Sequence, residues 1–307
     1  MILVTLRHPS AVPTLAAAAL VLVGCASTPS GAASGTEQPG GAVQVLASFY
    51  PLQYVTEKVG GDLVEVSSLT PPGAEPHDVE LSPRQVRSVS EAGLVVYLSG
   101  FQRAVDEAIA AREPAHVVDA ADTADLRPAP GAADDATLDP HFWLDPDRLA
   151  HLAAPVAAAL AELDPDNADT YAANATTLEA DLASLDAEFR AGLATCEQRV
   201  IVTSHEAFGY LTDRYDLEQV GISGLDPDAE PSPARLKEIG DVVRAQGVGT
   251  IFAEQLVNPK VAETLAADLG VQAAVLDPVE SLAEVDSDYR GVMQQTLPRL
   301  RAALGCA

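Results

Sequence analysis

Eight short apolar runs, separated by stretches of helical pattern, constrain this chain more than any other feature. Four fall in the first half, at residues 43–47, 63–69, 94–99 and 116–119, and four in the second, at 200–203, 217–222, 250–253 and 273–276. Helical segments at 83–92, 104–111, 234–246 and 261–269 lie between them. Strands that alternate with helices pair in parallel through right-handed crossovers, because a tight turn cannot carry the chain back to a parallel register. The pattern predicts an α/β fold of two lobes, each a small parallel β-sheet flanked by helices.

Between the lobes runs the clearest helix of the chain. Tyr171, Ala175, Leu178, Leu182, Leu185, Phe189 and Leu193 recur at spacings of three and four, which marks one buried face. Asp164 or Asp166 can cap it beside Pro165, and Gly192 lies near its end. From Asp166 to Leu193 it spans roughly 40 Å at 1.5 Å per residue, long enough to brace both lobes as a stiff spine. The expected divisions are a first lobe at 43–163, a linking helix at 164–195 and a second lobe at 196–307.

The N-terminus reads as an export signal. Arg7 and His8 precede an apolar run, 15–23, that is too short to span a bilayer. It ends in Leu22-Val23-Gly24-Cys25, which resembles the lipobox of bacterial lipoproteins. Residues 1–24 are thus expected to be removed, Cys25 to be acylated, and 25–42 to form a flexible tether. An ordinary signal peptide with an incidental cysteine is the alternative. The expected place is outside the cytoplasm, lipid-anchored on the outer face of the cytoplasmic membrane. Of the three cysteines, Cys196 and Cys306 remain, and in an exported protein such a pair is expected to be bridged.

A formal charge of −27 argues against a nucleic-acid partner, which needs a basic face. Enzyme signatures are scarce. His205-Glu206 starts like a zinc-protease helix, but Gly209 stands where the second histidine is needed. Nucleophile-elbow and phosphate-loop patterns are missing from the sequence.

Six histidines are present, and three of them, His77, His141 and His205, sit at turns or just beyond strands. Neutral imidazole is the commonest transition-metal ligand, and ligands in parallel sheets gather beyond the carboxyl ends of strands. Asp277 directly follows the last strand and is a fourth candidate. Glu206 and Glu254 are candidates to hold the ligating histidines, or alternatively to act as a base beside a metal. His116 and His151 read as structural or surface residues.

The motifs then converge on one resemblance. They are Pro72-Gly73-Ala74-Glu75-Pro76-His77-Asp78, Asp139-Pro140-His141-Phe142-Trp143-Leu144-Asp145-Pro146, and Thr203-Ser204-His205-Glu206-Ala207-Phe208-Gly209, followed by Glu230-Pro231-Ser232-Pro233, Phe252-Ala253-Glu254 and Leu276-Asp277-Pro278. In this order they resemble the zinc/manganese branch of ABC-transporter solute-binding lipoproteins. The resemblance implies two α/β lobes joined by one backbone helix, a metal held by His77, His141, His205 and Asp277, and an ABC permease as partner, with the chain acting as a monomer. Zinc members often carry a long histidine-rich insert near 125–138; here that stretch is short and acidic.

Three imidazoles and a carboxylate suit zinc, whereas manganese prefers oxygen-rich sites. In manganese-selective relatives the position of His205 is typically glutamate, so Zn(II) is the expected cargo and Mn(II) the alternative. Imidazole protonation is expected to weaken binding below about pH 6.5. Two other readings stay open: an exported zinc hydrolase with an open metal position, and a binder of a chelated metal or vitamin. The second would want an aromatic-lined cleft, and aromatics are only 5% of this chain.

Overall fold

All eight apolar runs become strands in the computed structural model, which describes residues 41–130, 137–282 and 287–307. The expected signal segment, Cys25 and the tether up to residue 40 lie outside the described residues, as do residues 131–136 of the acidic insert. The first half runs β1 (Val43–Ala47), α1 (Tyr50–Gly60), β2 (Val64–Ser68), α2 (Pro83–Glu91), β3 (Leu94–Tyr97), α3 (Arg103–Arg112), β4 (Val117–Asp119) and α4 (Ala121–Ala124). A two-stranded antiparallel ribbon, β5 (Arg127–Pro128) with β6 (Leu138–Asp139), and helices α5 (Pro146–Ala150) and α6 (Ala153–Leu163) follow. The long helix is α7 (Ala168–Leu193). The second half runs β7 (Val200–Thr203), α8 (Gly209–Arg214), β8 (Glu218–Gly221), α9 (Pro233–Gln246), β9 (Thr250–Ala253), α10 (Lys260–Leu269), β10 (Gln272–Val275) and α11 (Tyr289–Leu304).

The two sheets share one topology. Their strand orders are β2-β1-β3-β4 and β8-β7-β9-β10, and every pairing within them is parallel. In each sheet the order reverses between the first and third strands. A crevice opens there beyond the strand ends, where ligands gather in such folds.

Helix starts follow the sequence closely. Ser82 accepts from the Gln85 N–H in a capping box with Pro83 in the first turn, and Ser232, followed by Pro233, opens α9 by accepting from the Arg235 N–H. Helix α7 has 26 residues, and its buried face is Tyr171, Ala175, Leu178, Leu182, Leu185, Phe189 and Leu193, the stripe of the sequence. Its start differs from expectation. Residues Pro165–Asn167 form a 3-10 turn, and Asp164 accepts from the Tyr171 hydroxyl at 2.8 Å instead of capping α7.

The largest core cluster runs from Val45 in β1 through α7 to Leu304 in α11, so the spine packs into both halves. Arg214 of α8 reinforces the joint: its Nε lies 2.6 Å from Asp186 of α7 and 3.1 Å from Asp145 at the start of α5. Cys196 and Cys306 form a disulfide that ties the end of α7 to the end of α11. Among the described residues no helix is long and apolar enough to cross a membrane.

Candidate metal centre

Each histidine is delivered by a different connection at the strand ends. His77 lies in the loop after β2, His141 two residues after β6, and His205 two residues after β7. His141 and His205 are fully buried, whereas the His77 side chain keeps 13% of its exposure. The fourth member is Glu280, 3% exposed, which completes the His77, His141, His205 and Glu280 cluster.

Distances within the cluster carry the chemistry. His141 Nε2 stands 3.2 Å from His77 Nε2 and 3.3 Å from His205 Nε2. Glu280 Oε1 is 3.6, 3.2 and 3.5 Å from the Nε2 atoms of His77, His141 and His205. In a regular tetrahedron each edge is about 1.63 times the centre-to-corner distance, so these five edges correspond to a centre-to-donor distance of about 2.0–2.2 Å, the length of zinc–imidazole and zinc–carboxylate bonds; all four donor atoms lie within 4.8 Å of one another. Glu280 Oε1 is buried without a properly aligned hydrogen-bond partner. Four donors converging on one point, one of them an orphaned carboxylate oxygen, fit a tetrahedral zinc. A zinc held by four side chains has no open position for a catalytic water.

Carboxylates behind two of the rings set which nitrogen faces inward. Asp139 Oδ1 lies 2.8 Å from His141 Nδ1 and also accepts the His141 backbone N–H at 3.0 Å. Glu254 Oε2 lies 2.6 Å from His205 Nδ1, while its Oε1 accepts the His205 backbone N–H at 3.0 Å. A carboxylate only accepts, so each Nδ1 carries a hydrogen and each Nε2 is the metal-facing atom. The His77 loop is fixed differently: Glu75 accepts its backbone N–H at 3.0 Å, and Phe101 meets its ring edge-on with centroids 4.8 Å apart.

Asp139 is itself gripped from the second half. Tyr210 donates from its hydroxyl to the Asp139 carbonyl at 2.8 Å, and a Cβ on Gly209 would sit 3.0 Å from Asp139 Oδ2. A larger residue at 209 would push on the Asp139 carboxylate that holds His141.

Electrostatics couple the four groups. Burial alone would lower the His205 pKa, but Glu254 and Glu280 raise it to about 10. His141 is raised by Asp139 and Glu280 against the same opposing effect of burial. Burial would raise Glu280, yet the three imidazoles hold its carboxyl well below the usual range. Without metal, the buried Glu280 carboxylate thus favours the protonated forms of His141 and His205.

Asp277, expected as the fourth ligand, is not in the cluster. Its Oδ1 accepts the Val279 N–H at 2.8 Å, and its side chain lines a separate pocket with Gln255 and Arg299. Burial raises its pKa. The chain turns sharply after it: Val279 has φ 59, a left-handed conformation that costs a β-branched residue about 1–3 kcal/mol. That turn aims Asp277 away and carries Glu280 inward. Aspartate before proline, with a free N–H two residues on, is an Asx-turn signal, and it could have warned that this carboxylate is occupied locally. Glu206 also stands apart, 3.6 Å from Arg235. Asp139 and Glu280 were not singled out from the sequence. His116 and His151 lie outside the cluster.

A family model described as zinc-uptake complex component A, periplasmic, matches residues 45–303. The chain belongs to this family. It is 33% identical over 300 residues to the zinc-binding lipoprotein AdcA of Streptococcus pneumoniae, an alignment covering 92% of this chain and 58% of that protein. It is 30% identical over 307 residues to the high-affinity zinc uptake system protein ZnuA of Bacillus subtilis, covering 94% of this chain and 96% of that one. It thus spans little more than half the length of AdcA but nearly all of ZnuA. The solved structure of the laminin-binding protein Lmb of Streptococcus agalactiae, described as bifunctional with adhesin and metal-transporting activity, matches with a TM-score of 0.79 and 34% identity. That match covers 86% of this chain and 99% of the Lmb chain.

Proposed function

We propose that this protein captures Zn(II) outside the cytoplasm between its two sheet-bearing halves and delivers it to an ABC permease. The observation that carries the reading is the set of donor separations, 3.2–3.6 Å among three imidazoles and one carboxylate, which suits tetrahedral zinc. The ligands in this reading are His77, His141, His205 and Glu280, with Asp139 and Glu254 orienting the rings. Manganese favours more oxygen donors than this cage offers. The halves at 43–163 and 196–307 act as two lobes on the 164–195 spine. Cys25 supplies the lipid anchor at the outer face of the cytoplasmic membrane, and the chain works as a monomer.

Four protein donors favour a carrier over a hydrolase, since hydrolysis needs a metal-bound water. The test is an equilibrium competition titration of the metal-free protein against a chromogenic chelator. One equivalent of zinc per chain is expected, with manganese bound far more weakly. Failure of both metals to bind near one equivalent removes the carrier reading.

A further inference from the structure

We propose that Ser281 is a positioning residue for Glu280 and couples that carboxylate to the loop bearing His77. The inference rests on the carrier reading above and adds a residue to it.

The His141 and His205 rings are each held by a carboxylate, Asp139 and Glu254. Glu280 Oε1 has no aligned hydrogen-bond partner, so its direction comes from the backbone that carries it. That backbone is fastened on both sides. Upstream, Trp143 donates from its indole N–H to the Pro278 carbonyl at 2.8 Å. Downstream, the Ser281 hydroxyl oxygen accepts the Gly73 N–H at 2.8 Å and faces the Pro71 carbonyl at 3.5 Å. Ser281 is 4% exposed, so water competes little for either contact.

The two fasteners differ in what they reach. Trp143 ties the segment to the His141 connection. Ser281 ties it to the Pro71–Gly73 turn, which leads through Glu75 directly to His77. Glu280 Oε1 and His77 Nε2 are themselves only 3.6 Å apart. One loop from each half is therefore joined twice, through the Ser281 hydroxyl and through the shared metal. Val279 sits in the left-handed region, which a β-branched residue disfavours, so the local Asp277 turn needs these distant ties beside it. Loss of the hydroxyl frees Glu280 from the His77 loop, and zinc then exchanges its carboxylate for water more readily.

The experiment uses the full chain loaded with Zn(II) or with Co(II) as a spectroscopic substitute. Ser281→Ala is expected to release zinc to a chelator about five- to tenfold faster, the scale of one buried hydrogen bond, and to weaken the tetrahedral visible bands of the cobalt form. Ser281→Thr, which keeps the hydroxyl, is expected to stay within about twofold of the wild type. In a Glu280→Ala background the added Ser281→Ala change is expected to alter release by less than about twofold, because the two act as one unit. Release from Ser281→Ala at the wild-type rate, or equal acceleration in the Glu280→Ala background, overturns the inference while leaving the carrier reading intact. A wild-type chain that takes up no metal sinks both.

Discussion

Glu254 offers the sharpest test of how the cage is kept ready, through Glu254→Gln. Its two oxygens have separate tasks: Oε1 accepts the His205 backbone N–H at 3.0 Å and Oε2 faces Nδ1 at 2.6 Å. Glutamine has one acceptor oxygen and one donor amide. If the oxygen faces the ring, the amide opposes the buried backbone N–H, donor against donor. If the oxygen faces the backbone, the amide donates to Nδ1 and drives the hydrogen to Nε2, the atom that must present a lone pair. Either arrangement forfeits a charge-assisted hydrogen bond worth about 1.5–3 kcal/mol. That corresponds to a fall in zinc affinity of about 10–100-fold, read by chelator competition at fixed pH. Glu206→Gln, at a carboxylate paired with Arg235, is the matched control and should stay within about twofold. An affinity for Glu254→Gln equal to that of the control refutes the reasoning.

Zinc binding should release protons well above the ordinary histidine range. The His205 pKa is raised to about 10 in the metal-free fold against about 6.5 when unfolded. Its contribution to metal-free stability is therefore complete below about pH 6.5 and lost as pH rises through 10. Zinc must displace that proton, so its affinity should keep climbing with pH between those values, higher than the window expected from free imidazole. Calorimetry in buffers of different ionisation enthalpy checks this, and a proton count near zero at pH 7.5 contradicts it. His205→Glu should move preference toward manganese, measured as the ratio of the two dissociation constants; an unchanged ratio removes the case for His205 as the selectivity position. Replacing Cys196 and Cys306 together by serine should cost about 2–5 kcal/mol of unfolding free energy, measured by denaturant titration with the redox state controlled.

Much of the fold was legible because its elements bury regular patterns. Central strands such as β3 and β7, buried almost throughout, appear as continuous apolar runs, and the α7 stripe named the seven residues that the structure buries. The β5–β6 ribbon was not legible, since two-residue strands leave no periodic signal. At the site, strand-end positions pointed to the three histidines. The carboxylate was harder: a local turn at Asp277 and Val279 occupies one candidate, but what brings Glu280 inward also includes ties from Trp143 and Gly73, contacts distant in sequence. Asp139 is a milder case: it precedes His141 by two residues and accepts its N–H, a local turn that the motif contained.

The central claim is that these four side chains hold zinc, and anomalous diffraction from zinc-loaded crystals at the zinc absorption edge addresses it directly. The expected result is one strong peak per chain, about 2.0–2.2 Å from the Nε2 atoms of His77, His141 and His205 and from a Glu280 carboxylate oxygen. A peak bound by Asp277 in place of Glu280, or one with fewer than three of these histidines, contradicts the account.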